Sequence, residues 1–384
     1  MIKMLTAVTE EVDDVGLAVK EIADGLKLEG NLLKNSVAII NCMAEFETSG
    51  VLKAVSDSLP CEAIGCTTLY NRVSGGGGMI NSLCVTVLTA DDAEFGIAIL
   101  DDMARPVDEL KKTYKKAEAA FGHPALLIAF TPLIVQLGGL IFQKAAEIVG
   151  DVPMFGTSAC DEYRDYRTAG VIIDGKIDQT AAAFIMIKGN VNPKFYMTAI
   201  SSDKLRKQQA IITKAHECIL TTVNDMLAAD YFETQGISRE NGVDGVNIVP
   251  LLINYNDGGA PVALAVYEIL ENGEVVCGGG MTENATLSLG TLECDDILKT
   301  SAETIKNAAD SKGDLSCMFI FPCLSRITAF GGNYEEEPNV ILPNIPAGVP
   351  YNICYSGGEI CPVYINGGKT VNRFHNFSII VMTL

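Results

Sequence analysis

Apolar residues in this chain fall into short runs of strand length, separated by segments in which they recur at helical spacing. Residues 36–42 form a β-branched, apolar run that reads as a buried strand. Residues 48–59 then place Val51, Leu52, Val55 and Leu59 on one helical face, and Pro60 stops the helix. A second strand at 62–68 ends in small residues and opens a glycine-rich loop through Gly75 to Gly78, after which 82–90 and 94–100 read as two more strands. The same order restarts at Ala125, with a strand at 125–130, a helix at 136–149 and a strand at 152–159. The endings Ile64-Gly65-Cys66-Thr67 and Phe155-Gly156-Thr157-Ser158 correspond. A polar loop from Asp161 to Thr168 leads to a hairpin with Asp174-Gly175 at its tip, then to strands at 180–187 and 194–200.

A looser third copy closes the chain: a strand at 317–321, a loop-rich insert, a strand at 351–355, the turn Ser356-Gly357-Gly358-Glu359 and a last strand at 377–384. A partner unit is expected before it, from Val246 through strands at 262–270 and 274–277 and a helix at 295–309. Residues 201–230 read as strongly helical and 230–244 as their polar exit, which puts the boundary between halves near 201–220. The expected organisation is a first half, 1–200, made of two repeats at about 1–100 and 101–200, and a second half, 201–384. A helix between two strands implies a right-handed parallel crossover, while hairpins add antiparallel strands. Weak period-two alternation in the later strands implies burial on both faces. The expected class is α/β of the mixed α+β kind: internally duplicated strand-helix-strand-hairpin units forming layered mixed sheets flanked by helices.

Length and composition add exclusions. A chain of 384 residues with 48% hydrophobic content is ample for packed cores, which excludes disorder as a main theme. The formal charge of −20 repels a phosphate backbone, and the densest cationic stretch, Lys111, Lys112, Lys115 and Lys116, reads as a solvated helix face. Nucleic acid and membrane are therefore not expected as partners. Lys3, Glu10, Glu11, Asp13 and Asp14 interrupt any signal-like run, and the longest apolar stretch, 125–135, is about half a bilayer span and contains Pro132. A cytoplasmic location is expected. Most of the 12 cysteines sit in apolar strand-like runs, as Cys42, Cys84 and Cys317 do, and no CxxC pair occurs, so buried reduced thiols are expected and a zinc site is not.

The candidate chemistry lies where buried strands end in small residues: Gly65-Cys66-Thr67-Thr68, Gly156-Thr157-Ser158-Ala159 and Ser356-Gly357-Gly358-Glu359. Such turns offer free backbone N–H groups, small hydroxyls and room for a ligand. The same residues also make tight corners. The last turn keeps the richest company: Cys323-Leu324-Ser325-Arg326, the acidic run Glu335, Glu336 and Glu337, Gly358-Glu359-Ile360-Cys361-Pro362 and His375-Asn376-Phe377-Ser378. In that order these motifs resemble the FIST C domain, and the upstream duplicated half with its Ile-Gly-Cys-Thr-Thr turn resembles the FIST N-terminal half. The resemblance spans nearly the whole chain. It implies a small-ligand sensory module, with amino acids suggested as ligands. Its signalling partner would be a separate histidine kinase, chemotaxis receptor or cyclic-dinucleotide enzyme. Where the family continues the first turn with Gly-Glu-Ile, this chain has Leu69-Tyr70-Asn71, which weakens the case for a ligand there.

Carried over residue by residue, Arg326 is expected to pair with a carboxylate, that of Glu359 or of a ligand, with His375 and Asn376 supplying hydrogen bonds. A buried structural ion pair between Arg326 and Glu359 is the alternative. The ligand-binding set is then Arg326, Gly357, Gly358, Glu359, His375, Asn376, Cys323, Gly156, Thr157 and Ser158, with no metal. Some family members bind haem to detect nitric oxide, and His123, His216 or His375 would have to supply the axial nitrogen. Catalytic motifs are largely missing. Gly368-Lys369-Thr370 has Val363 where a phosphate loop needs its first glycine, and Gly156-Thr157-Ser158-Ala159-Cys160 lacks the last glycine of a nucleophile elbow. A cysteine nucleophile at Cys66, Cys160 or Cys323 would need His375 as base. A ligand-free interaction scaffold, including a homo-oligomer, is the remaining class. Tyr70, Tyr163 and Tyr334 are further candidates to line a site.

Overall fold

The computed structural model describes residues 2–76, 80–133, 138–161, 166–237, 249–310 and 315–384. The first copy runs β1 (Lys3–Thr9), α1 (Val15–Leu26), β2 (Asn35–Cys42), α2 (Glu45–Thr48), α3 (Val51–Ser58), β3 (Ala63–Thr67), β4 (Asn71–Val73) and β5 (Leu83–Ala90). The second runs β6 (Ala93–Leu100), α4 (Val107–Phe121), β7 (Leu126–Thr131), α5 (Gly138–Val149), β8 (Met154–Ser158), β9 (Val171–Ile173), β10 (Lys176–Asp178) and β11 (Ala182–Gly189). The third copy begins with β12 (Lys194–Thr198) and is then interrupted. The interruption carries β13 (Leu205–His216), β14 (Ile219–Val223), β15 (Met226–Leu227), α6 (Ala228–Thr234), β16 (Leu251–Asn254), β17 (Val262–Leu264), β18 (Val266–Ile269), β19 (Val275–Cys277) and β20 (Thr286–Gly290). The copy resumes with α7 (Cys294–Ala309), β21 (Met318–Pro322), α8 (Leu324–Ala329), α9 (Glu336–Ile341), β22 (Tyr351–Cys354), β23 (Glu359–Tyr364), β24 (Thr370–His375) and β25 (Ile379–Thr383).

Each copy therefore has one recipe: an edge strand, a helix, a central strand, a helical crossover, a parallel strand, one exchanged strand or hairpin, and an antiparallel return. The three sheets, β1-β5-β2-β3-β9-β10, β6-β11-β7-β8-β23-β24 and β12-β25-β21-β22-β4, obey it in register. In each, the central pair is parallel, β2 with β3, β7 with β8 and β21 with β22. The strand after the parallel pair comes from another copy. The second lends β9–β10 to the first, the third lends β23–β24 to the second, and the first lends β4 to the third. The exchange is cyclic, and nothing in the sequence pattern announces it.

Close approach of the parallel strands depends on glycine at equivalent points. A Cβ on Gly65 would lie 1.8 Å from the Ile40 carbonyl oxygen, and one on Gly156 2.0 Å from that of Ala129. The inner faces of all three sheets share one core, which includes Ile39, Ile64, Phe130, Phe155, Phe319, Phe321 and Met382. Their outer faces are covered by helices. Ile22 of α1 and Leu52 of α3 pack on the first sheet, Leu110 of α4 and Ile148 of α5 on the second, and Ile305 of α7 and Ile327 of α8 on the third. This is the expected mixed α/β class, with both faces of the sheets buried.

Two expectations fail in the second half. Residues 201–230 are mostly strand: β13, β14 and β15 lie in an eight-stranded sheet ordered β17-β16-β20-β13-β14-β19-β18, with β15 beside β14. Lys, Gln and Ala favour a helix, but Ala210 and Ile212 of β13 are buried while Arg206, Lys207, Gln208, Gln209 and Ile211 are exposed. Pairing to β14 and β20 on either side outweighs that local preference. The expected partner unit is likewise absent as a unit, since its strands belong to this inserted sheet and its helix, α7, to the third copy. The loop-rich insert after β21 carries α8 and α9. Gly77, Gly78, Gln136, Tyr163, Val246 and residues 238–244 of the expected polar exit lie outside the described residues.

Candidate functional site

The three equivalent turns meet. Thr68 N–H donates to the Cys42 carbonyl at 3.0 Å, Ala159 N–H to that of Thr131 at 2.9 Å and Ser356 N–H to that of Pro322 at 2.9 Å, so each turn is tied to its own central strand. Each is then tied to the exchanged segment beside it: Thr67 N–H to the Gly170 carbonyl at 2.9 Å, Ser158 N–H to that of Gly358 at 2.8 Å and Tyr355 N–H to that of Tyr70 at 3.0 Å. Direct bonds join the turns, from Cys160 N–H to the Thr67 carbonyl at 3.0 Å and from Gly357 N–H to that of Ser158 at 3.0 Å. Thr157 Oγ1 donates to Ser356 Oγ at 2.6 Å, and Ser158 and Thr131 hydroxyls bond at 2.8 Å. Gly357 is required, because a Cβ there would meet the Ala159 carbonyl oxygen and Leu133 Cδ2 at 2.5 Å. Gly358 is required as well, since its Cβ would strike the Phe374 ring at 2.1 Å.

Glu359 opens β23 at this meeting point and is fully buried. Its Oε2 accepts from Ser378 N–H at 3.2 Å, whereas Oε1 has no partner. Burial drives its carboxyl well above the usual range, opposed by the neighbouring Cys323 thiol, Ser378 amide, the Arg326 charge and the Ser356 hydroxyl. Burial, with the Glu359 charge second, also raises the Cys323 thiol. A thiol kept protonated by burial and by a neighbouring carboxylate, with no histidine beside it, is not an activated nucleophile. His375 lies across the ladder from Glu359, yet its Nε2 faces the Cys361 carbonyl at 3.3 Å and Nδ1 is unpartnered. Burial lowers its pKa to about 4, so it is neutral at physiological pH.

Asn376 ties the site to the inserted sheet. Its Oδ1 accepts from Ala265 N–H at 3.0 Å, its own N–H donates to the Ala263 carbonyl at 2.8 Å, and a Cβ on Gly278 would fall 2.1 Å from that Oδ1. The adjoining Phe377 holds a φ of 59°, a costly value for a bulky residue and one that clusters at functional sites.

Arg326 is the correction. It is fully buried and pairs with Glu337, with Nε 2.7 Å from Oε1, and not with Glu359. Nη1 donates to the carbonyls of Ala199 at 3.1 Å and Phe377 at 2.9 Å, and Nη2 to that of Ile297 at 3.1 Å and to Ser301 Oγ at 2.7 Å. No donor is left over for a ligand. The remaining expected residues, Cys323, Gly156, Thr157, Ser158, Gly357, Gly358, Glu359, His375 and Asn376, converge within this one region.

Sequence reasoning missed Tyr166 and Tyr267. Both are partly exposed, and burial raises both phenols. Tyr166 feels the charges of Cys160, Cys323 and Asp161, while Tyr267 feels Tyr166, Cys323 and Glu359 and has the Asn376 amide beside it. Tyr166 also carries a left-handed φ of 50°. A tyrosine in an amphipathic strand gives no signal of this role, and Tyr166 follows a loop whose course the sequence does not specify.

The three histidines stand in different surroundings. His375 is sealed in the ladder, His123 is exposed and held by Glu118 at 2.8 Å, and His216 stands exposed at the end of β13. An axial nitrogen needs an open coordination direction over an apolar pocket. Among the described residues no group of three or more His, Cys, Asp or Glu side chains could hold a metal ion, and no helix is long and apolar enough to cross a membrane.

Comparison with known proteins bears on identity. A search of curated proteins finds no match. Among solved structures, phosphoribosylformylglycinamidine synthase II from Thermotoga maritima aligns with all of this chain and 71% of its own at 10% identity and a TM-score of 0.21. T. maritima PurL complexed with FGAR aligns with all of this chain and 72% of its own at 9% identity and a TM-score of 0.22. Scores this low carry no argument. The FIST N domain matches residues 36–226 and the FIST C domain residues 225–362, meeting at the short strand β15. FIST domains are small-ligand sensory domains. With the two domains covering the chain in succession, this protein belongs to the FIST family.

Proposed function

We propose that this chain is a sensory domain that binds a small polar ligand at the meeting point of the three turns. It would pass the event to a separate signalling protein such as a histidine kinase, chemotaxis receptor or cyclic-dinucleotide enzyme. The observation that carries the reading is the unpartnered Oε1 of fully buried Glu359. An unsatisfied buried polar atom costs about 1 to 3 kcal/mol, which a ligand donor would recover. An ammonium or other N–H donor placed against Oε1 completes the carboxylate and pulls its proton affinity back down. The α-amino group of an amino acid meets that requirement, and Tyr267 lies close enough to feel the Glu359 charge.

The test is thermal stabilisation of the purified chain by glycine, serine and ethanolamine, compared with the Glu359→Gln variant. Saturable stabilisation is expected, reaching about 2.7 kcal/mol at a hundred times Kd, and it should vanish in the variant. Equal stabilisation of both proteins would move the ligand elsewhere, and no stabilisation by any amine would return the chain to the interaction-scaffold reading.

A further inference from the structure

A different seam gathers polar atoms with nothing to bond. Where β4 of the first copy pairs with β22 of the third, Tyr70, Arg72 and Tyr351 meet Tyr334 and Glu335, which precede α9. Tyr70 is fully buried and its hydroxyl lies against the Arg72 guanidinium, yet that hydroxyl, Arg72 Nε and Glu335 Oε1 all lack a hydrogen bond of good geometry. Only eight side-chain atoms among the described residues are in that condition, and three of them lie in this cluster. Folded proteins leave few such atoms, so a concentration of them needs a reason.

The shape of the seam supplies one. Arg72 Nη1 approaches Glu335 Oε2 only to 4.0 Å, too far for a hydrogen bond, so the opposite charges face each other without closing. The rings of Tyr70 and Tyr334 are parallel within 3° at 6.3 Å, and Tyr355 meets Tyr70 edge-on at 5.1 Å. Beside them lies a groove of about 430 Å³ with Ser74 and Gly75 on one side and Leu342, Ile345, Pro346 and Val349 as its apolar wall. Tyr351 borders the groove and also stands close enough to Tyr70 and Arg72 to affect their ionisation.

We propose that this seam is a second ligand site, built for a small zwitterion with an apolar side chain. Its carboxylate accepts from Arg72 Nε–H and Tyr70 O–H, its ammonium donates to Glu335 Oε1, and its side chain lies in the groove. A guanidinium matches a carboxylate in geometry as well as charge. A simple anion would leave Glu335 unpaired and repelled, and a simple amine would leave Arg72 so; a molecule carrying both groups satisfies all three orphaned atoms. The site is independent of Glu359 and of the reading built on it.

Calorimetric titration of the full chain, and of its Glu359→Gln variant, with L-leucine, 3-methylbutylamine and 4-methylpentanoic acid tests it. Leucine should bind the Glu359→Gln variant, in which the site at the three turns is disabled, and the two truncated analogues should bind that variant at least tenfold more weakly. Added to Glu359→Gln, Arg72→Gln and Glu335→Gln should each weaken leucine at least tenfold. Tyr70→Phe removes only the orphaned hydroxyl, so it should melt at or above the unaltered chain while binding leucine more weakly. Absence of leucine binding would overturn the proposal, as would binding lost with Glu359→Gln and kept with Arg72→Gln. A Tyr70→Phe variant that melts several degrees lower would also overturn it, by showing that the hydroxyl already has a partner.

Discussion

Replacing Arg326 with methionine should destabilise the fold by about 3 to 5 kcal/mol, the range seen when one member of a buried ion pair is removed. Methionine is a flexible apolar chain that can occupy much of the site, so the main loss is polar. Glu337 keeps hydroxyl donors from Ser301 at 2.5 Å and Tyr355 at 2.8 Å but loses its only cation, while the carbonyls of Ala199, Phe377 and Ile297 lose their donor. Against a total stability of roughly 5 to 15 kcal/mol the change is large enough to read from urea unfolding. The double variant Arg326→Met, Glu337→Met removes both charges and should recover a large part of the loss, because apolar replacement of a whole buried pair is often close to neutral. A single-variant loss below about 1 kcal/mol, or a double variant no better than the sum of its parts, would refute the assignment of Arg326 to structure.

His375 titrates at about 4 in the fold against 6.5 in the open chain, so the unfolded state binds more protons between those values. Its contribution is complete above pH 6.5 and falls away toward pH 4, by about 3 kcal/mol in all; unfolding free energies measured across that window should show a shallower slope for His375→Gln, and identical slopes would sink the idea. Ten of the 12 thiols are buried, with Cys61 half-buried and Cys294 exposed, so Ellman's reagent should titrate one thiol quickly, Cys61 more slowly and the rest only on unfolding. Rapid reaction at a third site would show that the central turns open. Gly156→Ala should cost about 3 kcal/mol or more by thermal melting, since its Cβ meets backbone and not a movable side chain; a loss under 1 kcal/mol would mean that β7 and β8 separate easily.

In the first two copies the order of buried strand, helix and second strand ending in small residues was legible, but the limits of the copies were not: the strands expected at 94–100 and 194–200 to close the first and second copies open the second and third sheets instead. The correspondence of Gly65 with Gly156 even marked where the parallel strands come closest. What local pattern does not carry is which sheet a hairpin joins, so the cyclic lending of β4, β9–β10 and β23–β24 was invisible. The same limit produced the Arg326 error. An acidic run at Glu335 to Glu337 and a lone Glu359 are equal candidates for an arginine in sequence, and only the approach of α9 to α8 chooses Glu337. In β13 the helical reading came from Lys, Gln and Ala, while the better signal was Asn224-Asp225. Both of these adopt left-handed φ, 50° and 62°, and turn β14 into β15. Tyr267 could not have been found at all, because its role rests on β18 passing beside Asn376.

The cyclic lending of strands makes the molecule a closed interlock with regard to cutting. A fragment ending after β12 would hold β4 with no sheet to join and would leave β8 with a bare edge where β23 belongs. The remaining fragment would lack β4 against β22 and β12 against β25. Neither piece should fold by itself, yet their edges are complementary and in register, so the two expressed together should assemble. The folding unit is thus the whole ring of three copies, and a cooperative loss of one seam is a loss of all three.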